Sequence, residues 1–276
     1  MLKVDNLDEK RKNMKQKIYQ IDAFATKTFE GNPAMVCPLE LWLSDELMQQ
    51  IAQENNLSET AFFLKEDDVY HLRWFTPTSE VDMCGHATLA SAYVLFECMG
   101  YEGDEILFST KSSVLRVWKE ENRYVMDFPI QAIEPCNISE KIEEAFRVKP
   151  LATFASMDYI VVFENEEDVL NAEPDLVLLK ALDLRGICVT SKSEKYDFVT
   201  RFFAPKYGID EDPVTGSSFT QLVSYWAGEL NKDVLSAKQV STRGGEVHCV
   251  VRGDRVEISG KAVKYLEGII EVSEEN

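Results

Sequence analysis

"RWFTPTSEVDMCGHATLASAYVLF" at residues 73–96 and "RFFAPKYGIDEDPVTGSSFTQLVSYW" at residues 201–226 follow the same plan. Each opens on a strand-like Arg-aromatic-Phe-x-Pro. An acidic turn, a glycine and an apolar helical run follow. Arg73 and Arg201 lie 128 residues apart, and Gly85 and Gly216 lie 131 apart, because the second turn holds three extra residues. The match continues downstream, where "FSTKSSVLRV" (108–117) resembles "VSTRGGEVHCV" (240–250), and "RYVMDF" and "RVEIS" supply a further strand in each copy. Collinear matches at a nearly constant offset indicate an internal duplication. The expected division is a tail over 1–17, a first half over 18–132 and a second over 133–276. The last strand is free to return to the first half.

Each half reads as strands around one helix, an α+β class. "KIYQIDAFA" (17–25) alternates as a strand does, and "SDELMQQIAQENN" (44–56) has helical spacing with Ser44 as N-cap. The run "HATLASAYVLFECM" (86–99) is apolar on nearly every face, which marks a buried helix. Gly100 is expected to end it, as Gly228 would end its counterpart. "SEKIEEAFRV" (139–148) and "PDLVLLKALD" (174–183) read as outer helices, with Pro174 at the first helical position. Strands enclosing a buried helix suggest a sheet curled into a barrel-like wrap.

The chain carries 29 Lys and Arg against 48 Asp and Glu, a net charge of −19. Such a surface repels phosphate backbones, so nucleic acid is not an expected partner. The first 17 residues are polar and charged, which argues for a mobile tail or an extra surface helix and against a secretory signal. No run reaches the ~18 apolar residues of a membrane helix. Six scattered cysteines with no metal-ligand spacing suit a reducing cytoplasm and predict no metal site. No Walker loop, dinucleotide fingerprint or hydrolase elbow occurs, so no cofactor is expected.

The candidate chemistry gathers at the two glycines. Helix starts expose unpaired N–H groups, so Gly85, and Gly216 with Ser217 and Ser218, suit a substrate carboxylate or a developing enolate-like charge. Each glycine would equally serve only to begin a helix. Glu59, in "LSETAFF", shares a strand face with Leu57, Ala61 and Phe63. Apolar neighbours would raise its pKa into the range of a general acid and base; alternatively it points to water. His86 stands at the first helix start, fit to bind a carboxylate or relay a proton. Asp212 either caps the turn before the second helix or orients a substrate amine or hydroxyl. Cys84 is a base, a nucleophile or a small buried residue. A two-thiol epimerase needs a second cysteine where Thr215 stands.

Taken together, "IDAFATKTFEGNPAMV", "NLSETAFF", "RWFTPTSEVDMCGHATLA" and "RFFAPKYGIDEDPVTGSS", in that order, resemble the PhzF family of phenazine-biosynthesis isomerases over about residues 18–272. The resemblance implies two pseudo-symmetric halves, each a β-barrel-like sheet wrapping a central helix, as in diaminopimelate epimerase, with the active site between the halves. It implies cofactor-free isomerisation of a small carboxylated metabolite and a cytoplasmic homodimer. Glu59 would move the proton, His86 and Asp212 would assist, and Gly85, Gly216 and Ser217 would bind the anion. Two departures stand out: "GSS" where many relatives read Gly-Ser-Ala, and Cys84, absent from the phenazine enzyme itself. "MCGH" also resembles the first-base motif of proline racemases and hydroxyproline dehydratases. A non-enzymatic small-molecule-binding protein is the remaining alternative.

Overall fold

The computed structural model describes residues 14–273. The expectation for residues 1–17 thus falls mostly outside them, and residues 14–17 are strand. In chain order the first elements are β1 (Met14–Ala23), β2 (Asn32–Leu39), α1 (Asp45–Asn55), β3 (Glu59–Glu66), β4 (Val69–Phe75), β5 (Glu80–Val81), α2 (Gly85–Tyr93), β6 (Glu105–Ser109) and β7 (Val114–Glu120). Then come β8 (Arg123–Pro129), β9 (Glu134–Pro135), α3 (Ser139–Phe146), β10 (Ala152–Ala155), β11 (Tyr159–Val162), α4 (Glu166–Leu170), α5 (Leu176–Lys180), β12 (Ile187–Lys192), β13 (Phe198–Ala204) and β14 (Ile209–Asp212). The chain closes with α6 (Phe219–Leu230), β15 (Val234–Gln239), β16 (Gly245–Arg252), β17 (Arg255–Gly260) and β18 (Ala262–Val272).

The chain forms two compact units, and neither is continuous. Unit 1 takes the described residues up to Ala23, Pro33–Lys119 and the chain from Ala262. Unit 2 takes Phe24–Asn32 and Glu120–Lys261. A single cut at residue 132 is therefore not what the packing makes. β18 runs antiparallel to β1 from Met14↔Val272 to Ala23↔Ala262, so it belongs to the unit that contains β1. β8 pairs with β17, which draws the chain after Lys119 into unit 2. The 24–32 segment is tied there as well: Gly31 N–H donates to Gly244 O at 2.6 Å, and Arg243 donates to the carbonyls of Gly31 and Glu30.

Within each unit the strands join by the same rule. In unit 1, β2 and β3 are parallel, β3 and β4 antiparallel, β4 and β6 parallel, β6 and β7 antiparallel. In unit 2 the series is β11 with β12 parallel, β12 with β13 antiparallel, β13 with β15 parallel, β15 with β16 antiparallel. Register carries the match to single residues. Trp74 pairs with Ala61 and Val81; Phe202, its counterpart, pairs with Cys188 and Asp212. The duplication therefore aligns Glu59 with Gly186, Ser58 with Arg185 and Val81 with Asp212. One sequence match is displaced. Tyr70 pairs with Phe108, whereas Phe198 pairs with Ala237 rather than Val240, a difference taken up in the following hairpin.

The core of each unit has two layers. On one side of the unit 1 strands lies α1, whose Leu47, Met48 and Ile51 pack with Phe62, Leu64 and Phe75. On the other lies α2, in contact with β1, β3 and β18 and buried at every position from Gly85 to Ala92. β3 is thus covered on both faces. This is why Thr60 to Leu64 are all buried where simple alternation predicts one wet face. Each fully buried leucine or valine here contributes about 1.5–3 kcal/mol. After Tyr93 the helix widens into a π-helical turn at Val94–Cys98, and Gly100, at φ 69°, ends it as expected. In unit 2, α3, α4 and α5 cover one face, with Ile142, Phe146, Val169 and Leu179 against Phe163 and Phe203. On the other, α6 packs on β15, β16 and β17. Gly228 does not stop α6; the helix runs to Leu230 and ends on Asn231 in the left-handed region. Pro174 precedes α5 without entering it, because Asp175 is the N-cap and accepts from the N–H groups of Val177 and Leu178.

Candidate active site

In unit 1, Glu59 opens β3 and His86 is the second residue of α2. Alternation turns Glu59 to the same side as Ala61 and Phe63, toward α2. Leu57, before the strand begins, packs instead in the α1 cluster. Glu59 Oε2 lies 3.1 Å from His86 Nε2, with side chains 14% and 7% exposed. Both atoms are buried, and their approach falls short of a well-aligned hydrogen bond. Among the described residues Glu59 Oε1 accepts no hydrogen bond, and it is not one of the buried atoms. Glu59 thus faces an imidazole and not the apolar surroundings expected of it.

Cys84 is the N-cap of α2 and makes no side-chain capping bond. Its sulfur lies 3.5 Å from His86 Nδ1. Burial, then the Glu59 charge, pushes the Cys84 thiol up to about 11, so it stays protonated near neutral pH. Burial opposes a charge on His86, but its neighbours Cys84 and Glu59 outweigh that and hold its pKa well above 6.5. The three side chains offer donor atoms within 4.8 Å of one another. They do not suit one cation, because His86 turns a different nitrogen to each partner. The start of α2 adds the positive end of a helix dipole beside these side chains.

In unit 2, Gly216–Ser218 form a 3-10 turn that runs directly into α6. The glycine thus begins the second helical segment as Gly85 begins the first. Ser218 is fully buried, and its hydroxyl and N–H both donate to Thr215 O. That leaves Ser217, half-buried, as the accessible residue of this helix start, beside a buried Gly216. Asp212 is held on both oxygens: Asn32 Nδ2 donates to Oδ1 at 2.8 Å, and the Thr215 hydroxyl donates to Oδ2. Gln239 closes the turn, with Nε2 donating to Asp212 O at 2.7 Å and Oε1 accepting from Thr215 N at 2.9 Å. Asp212 therefore organises the turn ahead of the helix. Sequence reasoning passed over Asn32, although it stands in the "EGNPA" stretch, and Gln239, for which no local signal exists. It also passed over Arg185, which donates to Ser217 Oγ at 3.0 Å and pairs with Asp158.

A family model described as "Phenazine biosynthesis-like protein" matches residues 21–268. The chain belongs to the PhzF family. An uncharacterized isomerase of Pseudomonas aeruginosa is 48% identical, over 93% of this chain and 99% of its own. A crystal structure of a PhzF-family protein from Enterococcus faecalis superposes with a TM-score of 0.91 at 46% identity, covering 93% and 99% of the two chains. A hydroxyproline epimerase from Agrobacterium vitis shares the fold at 8% identity, with a TM-score of 0.59 over 94% and 93% of the chains. The α+β epimerase-like class is thereby established, and with family membership goes the enzyme class of its relatives, isomerase. No helix among the described residues is long and apolar enough to cross a membrane.

Proposed function

We propose that the protein is a cofactor-independent isomerase that shifts a proton within a small carboxylated metabolite, using Glu59 as its single base. The observation that carries this reading is the Glu59–His86 contact at 3.1 Å. Glu59 Oε1 takes a proton from an acidic C–H beside the substrate's electron-withdrawing group. His86, whose Nε2 lies 3.1 Å from Oε2, holds the carboxylate in place and steadies its charge. The helix-start N–H groups stabilise the enolate-like charge that develops. Glu59, now an acid, returns the proton to another carbon of the same skeleton.

A two-base racemase finds less support. The counterpart of Glu59 in unit 2 is Gly186. A Cβ there would lie 2.5 Å from the Phe202 ring and 2.9 Å from Phe203 O, so no second carboxylate fits. The counterpart of Cys84 is Thr215, and Cys84 itself is held protonated. Asp212 serves as the positioning residue of the second helix start.

The test is proton exchange with solvent. Candidate carboxylates are incubated with the protein in deuterated buffer and read by NMR. With a substrate that incorporates deuterium, Glu59→Gln should lower incorporation by about 10²–10⁴-fold. Undiminished exchange in that variant would assign the chemistry to another base.

A further inference from the structure

Unit 2 holds a buried polar cluster that the proton chemistry leaves unused. Asp158 is fully buried. Arg185 grips its carboxylate as a fork, with Nε to Oδ1 at 2.9 Å and Nη2 to Oδ2 at 2.6 Å. Gln221, on α6, donates Nε2 to Oδ2 at 2.7 Å and accepts Asp158 N–H at 3.0 Å. Arg185 Nη2 also donates to Ser217 Oγ at 3.0 Å, and the guanidinium lies over the Phe202 ring, 5.5 Å from its centre. Nε and Nη2 are spent. Nη1 bonds to no described residue, and the side chain remains 33% exposed.

A pair of this kind adds little net stability compared with an apolar filling, so packing alone gives no reason for a cation here. Its position gives one. By strand register Arg185–Gly186 stand where unit 1 has Ser58–Glu59, and Ser217 stands where unit 1 has His86. Both units therefore aim a strand-start side chain at a helix start. In unit 1 that meeting makes a carboxylate–imidazole pair, and in unit 2 a guanidinium–hydroxyl pair. A guanidinium locked on two nitrogens presents its third as a rigid charge-assisted donor, which suits a carboxylate oxygen.

We propose that Arg185 is a substrate-carboxylate anchor, with Nη1 and the Ser217 hydroxyl together taking one carboxylate group. The assignment deepens the isomerase reading and rests on it for the molecule that fills the site. Binding is tested apart from turnover, with benzoate and benzamide as probes of like shape and unlike charge. In saturation-transfer NMR titrations the wild-type protein should bind benzoate at least about tenfold more tightly than benzamide. Arg185→Gln should erase that preference. Because this variant strands the buried Asp158, a second one, Arg185→Gln with Asp158→Asn, removes both charges and keeps hydrogen-bonding groups; it too should bind the two probes alike. Equal or absent binding of both probes by the wild type overturns the assignment, as does a benzoate preference that survives in the folded double variant. Glu59→Gln should keep the preference. A failure of the isomerase reading would appear in deuterium exchange, whereas a failure of this anchor would appear in the probe titrations.

Discussion

The two units build the same junction and equip it differently. In unit 1 the start of β3 meets the start of α2, and Glu59 faces His86 with one carboxylate oxygen left accessible. In unit 2 the segment entering β12 meets Gly216–Ser218, and the side chain there is Arg185, clamped by a carboxylate with no solvent exposure. The flanking ion pairs, by contrast, are kept alike. Arg73 forks onto Glu80, and Arg201 forks onto Glu211, its partner at the same step of the repeat. Duplication has thus preserved what holds each turn against its strand and altered what faces the helix start. In the proposed reading, one unit moves the proton and the other holds the anion.

The largest stability difference is expected between the two carboxylates. Asp158→Ala leaves a largely buried guanidinium without its partner and should cost about 3–5 kcal/mol in denaturant unfolding. Glu59→Gln, at a position that keeps some contact with solvent, should cost less. The reverse order would mean that the unit 1 pair is the structural one.

A smaller effect is expected at Gly186, the counterpart of Glu59. Gly186→Ala drives a methyl into the Phe202 ring and should destabilise by about 1–3 kcal/mol. A neutral or stabilising outcome would show that unit 2 has room for a second base after all.

The comparison sharpens further with pH. Burial opposes the His86 charge, yet Cys84 and Glu59 hold its folded pKa above the usual value. A raised folded pKa gives stability that is complete below about pH 6.5 and is lost as pH rises through the folded value. The melting temperature of the wild type should therefore fall above neutrality relative to that of His86→Gln. Parallel curves for the two proteins would place a neutral imidazole beside Glu59.

The smallest effect is expected at Cys84. Its thiol is protonated and its counterpart is Thr215, so Cys84→Ala should leave turnover within about tenfold of wild type. A loss of several orders of magnitude would move the chemistry from Glu59 to the sulfur.

Much of this was readable in the chain itself. The repeat around Gly85 and Gly216 announced two equivalent helix starts, because a buried all-apolar helix needs the same strand–turn–glycine entry each time it is built. Glu59 and His86 were readable because their neighbours form short, ordered motifs. The role of Asp212 was open, since a turn-closing aspartate and a substrate-facing one look alike until Asn32, 180 residues away, is seen to hold it. Gly228 and Pro174 misled because helix ends depend on which residue takes the left-handed or N-cap geometry, and Asn231 and Asp175 did so instead.

What the sequence determined alone was the local grammar: strand, turn, glycine and buried helix, twice over, with an imidazole beside the first glycine. Tertiary structure decided which residues meet. Parallel pairing of β11 with β12 sets Tyr159 beside Ile187, and so brings the residues just before them, Asp158 and Gly186 with its neighbour Arg185, to one edge. Nothing local in "MDYI" or "DLRGI" marks that encounter. Likewise the ten-residue pairing of β1 with β18 returns the end of the chain to the first unit. Hydrophobic periodicity shows that a segment is a strand and which face it buries. It carries no information about which distant strand completes its hydrogen bonds, and that choice places Arg185 at a helix start.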